Sequence, residues 1–395
     1  MLGGFSSLFP PQYIIGDQTM MLKLVKHFLN KTFCIVGRNS PYIIDDFVHI
    51  LLDATEHEDF INNTGIRVGG PTGETVFSRL KNADFDKIKT AFSDCLKSIF
   101  PSLKRLLRNR QVALAFDITE EPFYGTVEGL WIHPYCEARG STGCFKYLTV
   151  SCADKNNKII LGSLPVRIGA DIVDLVREML ITARRFVSIE MTTFDRGFDD
   201  YRLVEMLQTM NVRYQILWRK NKWVKTTLKS MNRGEVKEIL RTGKYSRDKS
   251  TYKVKLRFVI LKQYRRYPKS KSYNWVFVTN TRNSWAHEYV DKYRKRWGIE
   301  TTFRVLDDIK IKTTTKNEII RYFLNIFCCL MYNLWKLSKF FDCSLSLKKN
   351  FLSQLEGSEL QSEKYKEPPK DNVHQKSRVF KFCNSLQARC WRATR

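Results

Sequence analysis

Two apolar runs that each stop at an aspartate constrain this chain most. Val112-Ala113-Leu114-Ala115-Phe116 ends on Asp117, and the run that begins Phe186-Val187-Ser188-Ile189 ends at Phe194 with Asp195, followed by Arg196-Gly197-Phe198. The first run is continuous and apolar, and both read as strands. A carboxylate cannot be carried into the apolar interior without a partner, so each acid is expected at the edge of a sheet. Taken singly, either aspartate reads equally well as a strand-end turn residue. A third acid, Glu300, lies inside a basic helical pattern, Tyr293-Arg294-Lys295-Arg296-Trp297-Gly298-Ile299-Glu300. A fold that gathers Asp117, Asp195 and Glu300 makes a set of oxygen ligands suited to Mg²⁺. Two such ions are the apparatus for cutting and joining phosphodiesters.

Charge points to the same class of substrate. Sixty-seven Lys and Arg residues against 40 Asp and Glu give a net charge of +27, spread along the chain. A surface of that sign fits a polyanion, and nucleic acid is the expected partner. Membrane binding is not expected, because no basic amphipathic helix with a clean apolar face stands out. The apolar stretch Tyr322 to Trp335 is short of the ~20 residues needed to span a bilayer. Arg321, Asn325, Asn333 and Lys336 interrupt or flank it, so it reads as a buried core helix. The ten cysteines contain no CxxC pair, and Cys328-Cys329 falls in that apolar helix. Met1 to Pro10 carries no signal-peptide pattern, so reduced thiols in a cytoplasm are expected. His133, Cys136 and Cys144 read as buried side chains beside strands rather than as a metal set.

The periodicity changes along the chain. Residues 1–108 read as a helical N-terminal region, with apolar helical repeats over Met20–Leu29, Asp45–Leu52 and Phe85–Leu107. Pro101 is expected to break or kink the last of these. This region reads as a DNA-recognition module or as a packing unit. Residues 109–218 then read as strands Val112–Ile118, Gly125–His133 and Phe145–Ala153, helix Asp171–Arg185, strand Phe186–Phe194, helix Asp199–Met210 and strand Val212–Trp218. That order resembles the first part of a ribonuclease H-like core, an α/β fold with a mixed sheet. Residues 219–282 read as a basic, β-rich insertion before the third acid, with a basic turn at Tyr264-Arg265-Arg266-Tyr267-Pro268-Lys269. Trp218, Trp223, Tyr245 and Tyr252 are candidates to stack on bases there. Residues 283–345 read as the last part of the core, with a helix from Ser284 to Leu306 and a second one capped by Thr315. Residues 346–395 read as a basic, poorly ordered tail.

Around the third acid, Tyr293-x2-Arg296-x3-Glu300 resembles the insertion-sequence DDE transposases of bacteria and archaea that carry a Tyr-Arg-Glu-Lys signature. The resemblance takes in Phe116-Asp117-Ile118-Thr119, Tyr124-Gly125, Phe194-Asp195-Arg196-Gly197-Phe198, Trp297 to Arg304, Lys312 to Thr315 and Tyr332-Asn333-Leu334-Trp335, over about residues 110–340. It implies a DDE transposase with Asp117, Asp195 and Glu300 as catalytic and metal-binding residues and two Mg²⁺ or Mn²⁺ ions as cofactor. It implies that Tyr293 and Arg296 hold DNA phosphates near the cut. The implied partners are terminal inverted repeats and target DNA, met by a homodimer on the nucleoid of a prokaryotic cytoplasm. The position of the signature Lys, seven residues after the Glu, is Asp307 here. Arg304, on nearly the same helical face, and Lys310, in the following turn, are the cations that stand in for it. A ribonuclease H-like nuclease that does not join ends, and a copy that only binds DNA, are the alternative readings.

Overall fold

The computed structural model describes residues 18–34, 41–107, 110–153, 158–265 and 272–340. Met1 to Pro10, the tail expected over 346–395 and most of the basic turn after Tyr264 lie outside the described residues. Five helices come first: α1 Gln18–Thr32, α2 Ile44–His57, α3 Ile61–Val68, α4 Gly73–Ser78 and α5 Phe85–Leu106. Then follow β1 Val112–Phe123, β2 Gly143–Cys152, β3 Ile160–Val166, α6 Ile172–Ala183, β4 Ile189–Phe194, α7 Tyr201–Thr209 and β5 Tyr214–Leu217. The chain continues through α8 Lys222–Ser230, β6 Val236–Arg247, β7 Ser250–Tyr264 and β8 Tyr273–Thr279. It ends in α9 Ala286–Lys295, α10 Trp297–Asp307 and α11 Glu318–Phe340. The described residues of Met1–Arg108, Pro122–Cys144 and Phe303–Arg395 form one compact unit; those of Asn109–Glu121 and Phe145–Thr302 form the other.

The first unit is helical. Apolar residues at helical spacing bury one stripe of α1, α2 and α5, including Leu24, Phe28, Leu51, Leu96, Ile99 and Leu103, whereas α11 is buried on all sides from Arg321 to Leu334. Aromatic rings join the helices. Phe28 stacks on Phe323 with centroids 5.6 Å apart, and Phe33 packs on Phe47 at 5.5 Å and on Phe323 at 5.4 Å. Phe28 is fully buried, so Phe28→Ala is expected to cost about 3–5 kcal/mol, read as a lower denaturation midpoint at unchanged slope. Pro101 does not end α5, which runs through it. A proline removes one helical hydrogen bond, and the buried side chains on either side of it hold the helix. The cap of α11 is Asn317, whose Oδ1 accepts from Ile320 N at 3.0 Å. Thr315 Oγ1 instead accepts from Asn317 N at 3.2 Å, one step earlier in the same turn. No helix among the described residues is long and apolar enough to cross a membrane.

The second unit is built on one mixed sheet of eight strands in the order β3-β2-β1-β4-β5-β8-β7-β6. β1, β4 and β5 run parallel, β3 is antiparallel to β2, and β8, β7 and β6 follow β5 with each antiparallel to the one before. Gly125–His133 is not a strand: it is irregular apart from an isolated bridge at His133. β2 and β4 already occupy both edges of β1, so that segment has no place beside it; Ile160–Val166 supplies the third strand of the meander. The β-rich insertion is continuous with the core. β8 pairs with β5 through Gln215↔Thr279, Ile216↔Val278 and Leu217↔Phe277, and β7 and β6 extend the sheet from there. This is a ribonuclease H-like α/β fold preceded by a helical N-terminal region.

Candidate active site

Two neighbouring parallel strands place the aspartates. The β1–β4 register runs Leu114↔Thr192, Ala115↔Thr193 and Phe116↔Phe194, so Asp117 and Asp195 are the next residue on each strand at the same sheet edge. The Phe116 and Phe194 rings stack at 4.9 Å beneath them, and Thr193 Oγ1 donates to Leu114 O at 3.0 Å. β1 does not stop at Asp117; it runs on to Phe123, and what ends there is its pairing with β4. Asp195 turns the chain: its Oδ1 accepts from Gly197 N at 2.8 Å and starts a short 3₁₀ turn. Asp117 Oδ1 accepts from Ile118 N at 3.0 Å.

The insertion strands fix the third acid. Val290 and Tyr293 of α9 pack on Val259, Leu261, Trp275 and Phe277 of β7 and β8. Gln215 Nε2 donates to Tyr289 O at 2.7 Å inside this core, and Arg257 Nη2 donates to Tyr289 Oη at 2.8 Å. The helix expected from Ser284 to Leu306 is two helices, broken at Arg296. Tight i→i+3 bonds, Arg296 N to Tyr293 O at 2.9 Å and Ile299 N to Arg296 O at 2.8 Å, make the break. Gly298 opens the next turn, where a Cβ would lie 2.9 Å from Lys158 Cε. A side chain at this position would push the flexible end of Lys158 aside.

Arg296 lies between two of the acids. Its Nη1 donates to Asp117 Oδ2 at 3.0 Å and its Nη2 to Glu300 Oε1 at 2.7 Å. Its side chain is 7% exposed, against 16% for Asp117 and 45% for Glu300. The guanidinium also lies over the Tyr293 ring at 5.5 Å. Burial opposes its charge, but Tyr293, Asp117 and Glu300 outweigh burial and raise its pKa. Burial pushes the Asp117 carboxyl up to about 6; Arg296 works against this, while Asp195 and Glu300 reinforce it. The paired arginine does not win at Asp117 because desolvation and two further carboxylates act on the same group.

Tyr293 and Arg296 are both buried, so neither presents to solvent as a phosphate contact in this conformation. Arg304 and Lys310 belong to the helical unit, where Arg304 is exposed and Lys310 half-buried. Sequence reasoning did not single out Arg296 as a partner of the acids. Its i,i+4 spacing from Glu300 was the available signal.

Three carboxylates with no thiol or imidazole have the donor chemistry of a hard divalent cation; their oxygens do not all lie within 4.8 Å of one another here, and a guanidinium bridges two of them. Below about pH 6 a metal there must displace the proton on Asp117. Metal affinity is therefore expected to rise with pH through about 6 and to level off above it, with proton release seen by calorimetry in buffers of different ionisation enthalpy. An affinity flat across that range would remove Asp117 from the ligand set.

Residues 166–334 match the model of the family described as transposase DDE domain. The match includes Asp195, Arg296 and Glu300 and begins after Asp117, which the strand register supplies. No curated protein matches the chain. Among solved structures, a piggyBac transposase synaptic complex with hairpin DNA, determined by cryo-EM, is similar at a TM-score of 0.51 and 14% identity. The similarity covers 94% of this chain and 85% of that one. The sheet with a helical region before it is thus a ribonuclease H-like α/β fold, and residues 166–334 are similar to the transposase DDE domain.

Proposed function

We propose that this chain is a DDE transposase that cuts the ends of its element and joins them to target DNA. The observation that supports this most directly is the register of Asp117 and Asp195 at one sheet edge, with Arg296 linking Asp117 to Glu300. Two Mg²⁺ or Mn²⁺ ions bound there would activate a water or a 3′-hydroxyl and stabilise the leaving oxygen. Asp117, Asp195 and Glu300 are the residues that hold them. Arg296 is the candidate for the DNA phosphate beside the cut, Tyr293 seats its guanidinium, and Arg304 and Lys310 are candidates for the DNA backbone.

A second observation supports DNA as the partner. In the β6–β7 hairpin Lys244 is directly opposite Lys253, and Lys255, opposite Thr242, lies on the same face. All three lysines are exposed. Like charges facing each other across strands destabilise a sheet, and a polyanion laid over this face offsets that cost.

The full reading places the protein with the bacterial and archaeal Tyr-Arg-Glu-Lys group. It acts as a homodimer on terminal inverted repeats, at the nucleoid of a prokaryotic cytoplasm. The test is incubation of purified protein with its element's terminal sequences, target DNA and Mg²⁺ or Mn²⁺, with strand-resolved products. Joined products are expected. Cleavage without joining would assign a nuclease instead. DNA binding without metal-dependent chemistry would assign a binding-only copy, in keeping with Asp307 at the position of the signature Lys.

A further inference from the structure

We propose that Arg296 is a resident cation of the carboxylate site, which assembles the site before metal enters and competes with metal for Asp117 and Glu300. This rests on the reading of these acids as a metal site. Asp117 on β1 feels the negative charges of Asp195 at the end of β4 and of Glu300 on α10, and like charges repel. Arg296 counters that repulsion with two nitrogens of one guanidinium, each on a different carboxylate. A divalent ion shared by Asp117 and Glu300 draws on the same two carboxylate charges that the guanidinium holds through Asp117 Oδ2 and Glu300 Oε1, so the two cations compete there.

The exposures set the order of events. Arg296 and Asp117 are 7% and 16% exposed in their side chains, whereas Glu300 is 45% exposed. Glu300 is the arm that solvent reaches, so exchange starts there. Arg296 Nε is buried with no hydrogen-bond partner, and the Tyr293 ring lies beneath the group. A guanidinium freed from Glu300 then offers an unpaired Nη2 beside the metal position. The acceptor that suits it is an anionic oxygen, such as that of a DNA phosphodiester. Metal entry and phosphate binding are thereby coupled in the favourable direction, and by linkage each tightens the other.

The experiment is Mn²⁺ titration by calorimetry on DNA-free protein, comparing wild type with R296A, R296K and D117N and following thermal stability in parallel. Without metal, R296A is expected to melt below wild type. It is also expected to bind Mn²⁺ more tightly, by about 5- to 150-fold, the usual range for two coupled ligands. R296K is expected to fall between, because one ammonium is a point charge and does not form the two-pronged bridge. A purely structural role would lower stability without raising metal affinity. Unchanged or weaker Mn²⁺ binding by folded R296A would overturn the proposal.

Should R296A not fold, arginine ¹⁵N spectra of the wild type, assigned with R296K, give the same decision. The Arg296 Nη protons are expected to exchange slowly without metal and rapidly when Mg²⁺ is added; no change would equally overturn the proposal. D117N separates the metal site from the role of the arginine. If wild type and D117N bind Mn²⁺ alike, the metal-site reading itself is wrong. If D117N loses binding while R296A matches wild type, only the resident-cation role is wrong.

Discussion

Glu300→Gln is expected to abolish cleavage and joining while leaving DNA affinity close to that of the wild type. The substitution keeps the size of the side chain and its place in α10, but removes the charge that a Mg²⁺ or Mn²⁺ ion requires of an oxygen ligand. Loss of residues that merely orient metal ligands costs about 10- to 100-fold, so loss of a ligand is expected to exceed about 100-fold in the rate of strand cleavage. The fold has little reason to suffer. The Glu300 side chain is about half exposed, and its hydrogen bond from Arg296 can be accepted by the amide oxygen. DNA affinity rests on phosphate contacts made elsewhere. Strand-resolved cleavage alongside a binding titration measures both. Cleavage at the wild-type rate would remove Glu300 from the catalytic set and favour the binding-only reading.

DNA binding is expected to weaken by ~10³–10⁵ between about 50 and 200 mM salt, the behaviour of a protein that neutralises on the order of six to ten phosphates. The net charge of +27 makes this possible, and the hairpin makes part of it local. Lys244, Lys253 and Lys255 share one exposed face of β6 and β7. Replacing them together by Gln is expected to lower the slope of log affinity against log salt by roughly 0.9 for each phosphate that is no longer neutralised. Fluorescence anisotropy on a labelled duplex over a salt series gives both slopes. A flat response in the wild type would sever the basic charge from DNA; an unchanged slope in the triple variant would place the DNA away from this hairpin.

What could be read from the sequence was whatever near neighbours in the chain decide. The strands β1 and β4 were legible from the apolar residues that precede Asp117 and Asp195, and the pairing of β1 with β4 ends just before those acids. Helices α6 and α7 were legible from their apolar spacing, and in the structure Asp171 and Asp200 cap them. Tertiary structure decided what depends on distant partners. Gly125–His133 has strand-like residues but no free edge beside β1, whose two neighbours come from other parts of the chain. The insertion joins the core sheet because β5 finds β8 across some sixty intervening residues, a pairing that no local pattern encodes. Arg296 sits in a basic run that locally reads as a solvated helix face. Its burial is set by Asp117, 179 residues away, because a guanidinium leaves water only where carboxylates are already placed to receive it.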